Sequence, residues 1–365
     1  MATSTFGPSH AAAQTQWVKD LFFGHLRNNM FAPLMDVNGG SSIKIENVPN
    51  KAGDTFKVHF RNNASGTDGV SGDTALDATP ITLATDSVTI DRQRYAVSVE
   101  NFAMSDQRIV IDMEKQIAGP MLQEWMEAKV QKMIMDQLVD TSTGRTQNRY
   151  LYGKLEGNYN ATEATAKTNI DNTDDKLTLS LLSLAKRKAQ TQDSRAAGRI
   201  KPTNVKLADG RVAEEKFVFL GHTLAIRDLR NDTLFNNLVQ YRDNPAFDII
   251  NGATFVGEYQ GILIYEMFDS QMVEASTIQI AHNLLLGAEA AVMAYGNVAK
   301  PAGTWNAYSD PKSKALVTRE ITDHAGDVAY GMTFVGGAKK LVNSISGTAE
   351  DNAIVHVYTA AVADA

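Results

Sequence analysis

Two stretches of alternating β character flank a long segment with almost no apolar content, and this arrangement restricts the possible folds more than any other feature. Ile43, Ile45 and Val48 alternate until Pro49 stops the run. Gly53-Asp54 then opens Thr55-Phe56-Lys57-Val58-His59-Phe60, again with a period of two. From Arg61 to Thr79 the chain is rich in Asn, Gly, Ser, Asp and Thr and carries Gly66, Gly69 and Gly72. Such a segment has no core of its own to bury. A second β run follows from Asp86 to Glu100, with Val88, Ile90, Tyr95, Val97 and Val99. Together they describe a long two-stranded arm with a glycine-rich end. An isolated two-stranded arm is marginal in water, so this one is expected to lie against its own body or another chain.

The strongest helical pattern runs from Ser105 to Val139. Ser105 or Asp106 can cap it. Gly119-Pro120 predicts a short helix, a kink, and a long helix from about Pro120. In the long part Leu122, Trp125, Met126, Val130, Met133, Ile134 and Leu138 form one apolar stripe, with Lys132 and Asp136 at i,i+4 on the other side. Met121, Met126, Met133 and Met135 are core filler at this spacing. Trp17 to Met30 predicts a short amphipathic helix after a flexible start, and its Trp17, Leu21, Phe22 and Leu26 need a surface to cover. Beyond a polar stretch at 141–175, Lys176–Gln190 is predicted as a helix, with the acidic run Asp171–Asp175 as its N-terminal charge. Strands are expected at Lys216–Leu220, Thr254–Val256, Gly261–Met267, Leu316–Ile321, Gly331–Val335 and Ala353–Thr359, and helices at Thr223–Leu229 and Leu284–Ala294. This mixed order is α+β and not an alternating parallel sheet. At 365 residues the chain suits one large or two interleaved domains.

The patterns that carry chemistry are missing. No phosphate-cradling glycine loop, H-E-x-x-H pair or nucleophile elbow occurs. There is no cysteine for a thiolate metal site or nucleophile. The seven histidines have no pair at helical spacing, and each is expected at the surface or as a satisfied buried imidazole. No cofactor, metal or catalytic residue is expected. Lys and Arg number 35 against 42 Asp and Glu, a net charge of −7, which argues against a chain that wraps nucleic acid. Lys186, Arg187, Lys188, Arg195, Arg199, Lys201, Lys206 and Arg211 form a basic cluster without interleaved aromatics, expected as a solvated helix end and loop, with a nucleic-acid or intersubunit contact as the alternative. The first residues lack a basic-then-apolar signal pattern, and no apolar window is long enough to span a membrane.

The order of these parts, with several short stretches, resembles a known family. The stretches are Gly53-Asp54-Thr55, Gly69-Val70-Ser71-Gly72-Asp73-Thr74-Ala75-Leu76, Val88-Thr89-Ile90-Asp91-Arg92-Gln93-Arg94-Tyr95-Ala96-Val97 and Met104-Ser105-Asp106-Gln107-Arg108. Arg199-Ile200-Lys201-Pro202, Phe217-Val218-Phe219-Leu220-Gly221-His222 and Gly331 to Gly337 with Lys339-Lys340 continue the order. They are similar to the major capsid proteins of tailed bacteriophages, in particular podophages related to the large virion-RNA-polymerase coliphages. The resemblance implies the shell fold of the tailed-phage and herpesvirus lineage (the Johnson fold). Its parts would be an N-terminal arm at 1–45, an extended loop (the E-loop) at 46–99 and a peripheral domain with a long spine helix at 100–177. An axial domain would follow at 178–320, and C-terminal strands completing the peripheral domain at 321–365.

The implied function is a structural subunit of an icosahedral or prolate shell, a virion component built in the host cytoplasm. Hexamers and pentamers would enclose double-stranded DNA without sequence-specific binding and without a membrane. A scaffolding protein and portal are implied as partners, with a cement or decoration protein as an open further one. Contacts between subunits are expected at Trp17, Leu21, Phe22 and Leu26 of the N-terminal arm. In the β arm they are expected at Arg61, Asp68, Asp73, Arg92 and Arg94, with Gly69 and Gly72 supplying backbone turns. The alternatives are an encapsulin-like nanocompartment shell, which shares the fold, and a soluble enzyme with an unrecognised site.

Overall fold

The computed structural model describes residues 29–37, 39–48, 53–61, 83–99, 117–190, 199–206, 212–239, 247–298, 307–309, 314–322, 327–344 and 348–363. In chain order the strands are β1 (Met35–Asp36), β2 (Ile43–Asn47), β3 (Thr55–Arg61), β4 (Leu83–Thr89), β5 (Asp91–Val99), β6 (Tyr150–Tyr152) and β7 (Thr203–Lys206). They continue with β8 (Val212–His222), β9 (Ala253–Tyr259), β10 (Ile262–Met267), β11 (Val273–Ala275), β12 (Gln279–Leu286) and β13 (Ala291–Tyr295). The last are β14 (Ala307–Ser309), β15 (Ala315–Thr322), β16 (Asp327–Lys340), β17 (Val342–Asn343), β18 (Glu350–Asp351) and β19 (Ile354–Ala360). The α-helices are α1 (Gly119–Leu138), α2 (Glu163–Thr168), α3 (Leu179–Gln190), α4 (Thr223–Arg230) and α5 (Thr233–Val239).

Among the described residues two mixed sheets hold the body together. In a seven-stranded sheet the order is β1-β2-β13-β16-β15-β14, with β5 paired to the other edge of β16. In an eight-stranded sheet the order is β6-β19-β12-β8-β10-β9, with β7 and β11 added on β8 and β12. Helix α1 lies across β16, β5 and β13. Its stripe residues Leu122, Met126, Val130, Ile134 and Leu138 are all fully buried, and Trp125 stacks on Tyr95 of β5 at 5.3 Å. Each such side chain contributes about 1.5–3 kcal/mol of burial. Pro120 sits in the first turn of α1, where its missing N–H has no partner to lose. The expected short helix and its Ser105 or Asp106 cap lie outside the described residues.

Several expectations are corrected. The β run from 86 to 100 is two strands, broken at Ile90. β4 pairs with β3 as a separate hairpin, while β5 runs antiparallel to β16 inside the body sheet, Asp91 opposite Gly336 and Val99 opposite Val328. Within the span expected to be one arm, the hairpin is therefore Thr55–Arg61 with Leu83–Thr89. The expected segments 178–320 and 321–365 each divide between the sheets. β13, β14 and β15 join β16 in the seven-stranded sheet, whereas β19 lies between β6 and β12 in the other.

The helix expected at Leu284–Ala294 is instead the end of β12, a turn at Gly287, and β13. Leu284–Leu286 and Ala291–Ala294 are buried at every position, so their apolar sequence carries no helical or strand period. The acidic run does not cap α3. Asp175 is buried and accepts the N–H groups of Lys154 (2.7 Å) and Asp171 (3.0 Å), tying its own loop. The first turn of α3 is met by Thr178 Oγ1 and by Asp232.

The arm is seated on the body by close backbone approach. A Cβ added at Gly337 of β16 would lie 2.1 Å from the carbonyl oxygen of Thr89 at the end of β4. Replacing Gly337 with Ala is expected to destabilise the soluble subunit by about 1–3 kcal/mol through overpacking. At Gly157, where an added Cβ meets nothing, the same change is expected to stay within about 0.5 kcal/mol. Urea unfolding midpoints of the two variants check this, and an unchanged midpoint for Gly337→Ala would show that β4 is not held against β16.

Candidate functional site

The root of the arm is built from the alternation of β4. Val88 and Ile90 are fully buried and pack with Val48, Val292, Ala294, Val335 and Leu341. Asp86, on the same face as Val88, reaches Lys339 Nζ at 2.5 Å and accepts the N–H of Val342 at 3.0 Å. Backbone bonds between Gly53 and Ile90 (2.7 Å) and between Ile90 and Asp54 (3.1 Å) close the base. Beyond Asp86 the described part of the hairpin buries little: Lys57, His59 and Thr85 are exposed, and Leu83 is 65% exposed. Among the described residues the hairpin is thus anchored at its base and little buried toward its other end.

Arg92 and Arg94 are exposed on β5, where strand alternation puts them on the face away from Tyr95 and α1. Arg61 ends β3 opposite Leu83, and its side chain lies outside the described residues. Asp68, Gly69, Gly72, Asp73, Trp17, Leu21, Phe22 and Leu26 also lie outside them. Beside β5 is an apolar patch that sequence reasoning missed. Tyr95 and Met121 are each 42% exposed, with Ile117 one turn before Met121 and Trp125 one turn after it. Among the described residues no strand pairs with the outer edge of β5. The chain enters the body beside α1, where Met30 Sδ accepts from Gln131 Nε2 at 3.4 Å.

A second constellation is internal. Sheet pairing sets Tyr150 of β6 opposite His356 of β19, and Tyr152 opposite Tyr358; Tyr358 is opposite His282 of β12. The rings stack across the strands at 4.2 Å (Tyr150–His356), 4.7 Å (Tyr152–Tyr358) and 4.3 Å (His282–Tyr358). His282 Nε2 lies 2.7 Å from His356 Nδ1, and His356 Nε2 lies 3.0 Å from Asp351 Oδ2. Tyr150 donates its hydroxyl to the same Asp351 oxygen at 2.9 Å. Lys340, the last residue of β16, sits 2.9 Å from Asp351 Oδ1 as an ion pair off the hydrogen-bond direction, and donates to the carbonyls of Asp140 and Thr143.

Burial holds both imidazoles below the ordinary histidine range. For His282 the neighbouring His356, Lys167 and Lys340 add to that effect, while for His356 the Asp351 carboxylate only partly offsets it. Burial also pushes the Tyr150 hydroxyl well up, with Asp351 adding to it. These side chains are buried, and they join β6, β12 and β19 to the end of β16. Among the described residues no group of His, Asp and Glu is placed to hold a metal ion, and no helix is long and apolar enough to cross a membrane.

A sequence model described as phage capsid protein matches residues 5–363. The chain belongs to the phage capsid protein family. It is a structural subunit of a phage capsid. Solved shells share its fold. The capsid subunit of cyanophage Pam1 is 21% identical over 93% of this chain and 94% of that one, with a TM-score of 0.65. That of Ralstonia phage GP4 is 19% identical over 93% of each, with a TM-score of 0.69. The acid-stable capsid of Helicobacter pylori bacteriophage KHP30 gives 14% identity over 91% of each chain and a TM-score of 0.67. No curated protein sequence matches the chain.

In this capsid subunit the buried ion pair sets the energetics of the joint. Asp351→Asn and Lys340→Met each leave one charge uncompensated in the interior, and each is expected to destabilise the subunit by about 3–5 kcal/mol. The double variant is expected to lose less than the sum of the two. Lys132→Ala removes an exposed pair with Asp136 at 2.9 Å and should cost only about 0.3–0.5 kcal/mol. Denaturant titration of all four proteins checks the ordering; additive losses at 340 and 351 would show the pair to be uncoupled.

Proposed function

We propose that this subunit assembles into hexamers and pentamers that close a shell around packaged double-stranded DNA, in the host cytoplasm and with a scaffolding protein and portal as partners. Family membership across residues 5–363 carries this reading. Within it, the seven-stranded sheet with α1 serves as the peripheral domain and the eight-stranded sheet as the axial domain. The β3–β4 hairpin is the root of the E-loop. The ordered motifs around Val88–Val97 and Phe217–His222 favour kinship with the podophages related to virion-RNA-polymerase coliphages. A structural and non-catalytic role fits a chain whose His282, His356, Asp351 and Lys340 are buried.

The arm supports an intersubunit role for the segments on either side of the body. Residues 62–82 continue a hairpin whose outer half already buries little against its own chain. Residues 1–28 precede Met30, whose Sδ accepts from Gln131 on α1 of its own body. Trp17, Leu21, Phe22 and Leu26 supply apolar contact there or on a neighbour, and Arg61, Asp68, Asp73, Arg92 and Arg94 supply polar contacts at the rim. Individual rim pairs contribute only about 0–1 kcal/mol, so most of the association energy must come from apolar burial.

Expressed with its scaffolding protein, the intact chain is expected to form closed shells by negative-stain microscopy. Replacing 62–78 by a short Gly-Ser turn is expected to leave the subunit's unfolding midpoint unchanged and to abolish capsomers in sedimentation. Removing 1–28, short of the buried Met30 and Phe31, is expected to leave a folded body that assembles poorly. Normal shells from the 62–78 replacement would overturn the arm's role. Shells that hold a protein cargo and no nucleic acid would favour the nanocompartment alternative.

A further inference from the structure

We propose that the chain of bonds Asp351–His356–His282 is a proton-operated latch on the joint between the two sheets, closed while both imidazoles are neutral and released when the pair takes up a further proton. The bonds run in one direction. His356 Nε2–H donates to Asp351, whose Oδ2 also receives the Tyr150 hydroxyl. That leaves His356 Nδ1 as an acceptor, filled by the N–H of His282 Nε2 at 2.7 Å. A proton added at His356 Nδ1 would set two N–H groups against each other at that distance. A proton added at His282 Nδ1 keeps the bond but creates a cation in the interior. The nearest carboxylate to that nitrogen is Glu274 of β11 at 4.0 Å, already bonded to Lys167.

The surroundings on every packed element oppose a positive charge or are already committed. From β16 the pair faces Lys340, which is matched by Asp351 of β18. From α2 it faces Lys167, shared between Glu163 and Glu274, and Glu163 itself, which also receives Thr141 and Tyr358 hydroxyls. From β6 come Tyr150 and Tyr152, and before it Arg145 over their rings. Arg149 and Glu350 form a neighbouring buried pair at 3.6 Å. Neutral imidazoles satisfy this site, and a histidinium is stabilised only where water can reach it.

The sign follows from linkage. Both groups bind protons less readily in the closed joint than in water, so the open form takes up more protons as the pH falls through the ordinary histidine value. Stability of the joint is complete above that value and is lost below it. The segments that separate are those the latch ties together: 140–152 between α1 and β6, and 340–356 from the end of β16 into β19. Strand β8 pairs with β12 at Leu284–Leu286 and bonds Asn283 beside the latch through the His222 N–H, but bonds no group of the latch itself, and β10 lies beyond β8.

The test is hydrogen exchange read by mass spectrometry on assembled shells, between about pH 7.5 and about pH 5.5, above the range where carboxylates titrate. After correction for intrinsic exchange rates, 140–152 and 340–356 are expected to exchange about tenfold faster at the lower pH, reversibly, while β8 and β10 stay unchanged. His282→Gln retains an N–H donor for His356 but accepts no proton, and it is expected to flatten the response at least about threefold. Unchanged protection of the two segments overturns the proposal. So does simultaneous loss of protection in β8 and β10, which is global unfolding and not release of a latch. A wild-type response retained in His282→Gln overturns it as well. Should that variant not assemble, the wild-type profile decides alone.

Discussion

Strand β16 is the member on which the rest of the subunit depends. Its 14 residues pair with β5 along one edge and with β15 and then β13 along the other. Its burial changes along its length for a physical reason. Up to Met332 it alternates, Val328, Tyr330 and Met332 facing the core under α1 while Ala329 and Gly331 are only half-buried. From Thr333 to Gly337 every position is buried, because the root of the arm covers the face that was open. Gly337 lies where that covering comes closest. One strand therefore carries the helix on one face, the arm on the other, and at its last residue the ammonium that ties it to the second sheet.

That tie explains why two sheets joined by short connections hold a fixed relation. Lys340 bonds to carbonyls at the end of α1 and pairs with Asp351, and Asp351 is bonded in turn by Tyr150 and His356 of the eight-stranded sheet. A buried ion pair contributes little net stability compared with apolar residues of the same volume. Its contribution here is geometric. Only one arrangement of β6, β18 and β19 satisfies all these groups, and β6 is too short, at three residues, to fix its own register by backbone bonds. A polar joint restricts the relative orientation of the sheets where an apolar one would let them slide.

The sequence revealed the parts whose burial is one-sided, and buried strands whose β-branched runs are bounded by turn residues. The stripe of α1 is visible because the opposite face carries Lys132 and Asp136, and β15, β16 and β19 are visible because apolar β-branched runs end at turn residues. Where both faces are buried the period vanishes, and this is why Leu284–Ala294 passed for a helix. The split at Ile90 was hidden for a different reason: β4 and β5 continue the same alternation, and only the tertiary partner differs. The joint had no local signal at all. His282 and His356 are 74 residues apart, Lys340 and Asp351 are unremarkable in context, and only antiparallel register brings them together. Of the contact residues, Arg92 and Arg94 proved exposed, whereas the apolar patch of Tyr95, Met121 and Ile117 was hidden because Tyr95 and Met121 read as ordinary members of buried stripes.

That patch bears on how a shell subunit stays soluble before assembly. An uncovered strand edge is a template for pairing with any other chain, and the outer edge of β5 lies next to partly exposed aromatic and aliphatic side chains. Two features blunt it. Arg92 and Arg94 project from the strand and are exposed, so a second copy pairing there in register would bring like charges together. Tyr95 is stacked on Trp125, which keeps its ring against its own helix and only partly available. The apolar area left is small enough for a monomer to tolerate. Removing it from water then requires a partner shaped to approach both the arginines and the start of α1. At a strand edge of this kind specificity rests less on the size of an adjoining apolar patch than on the charges that exclude the wrong strand.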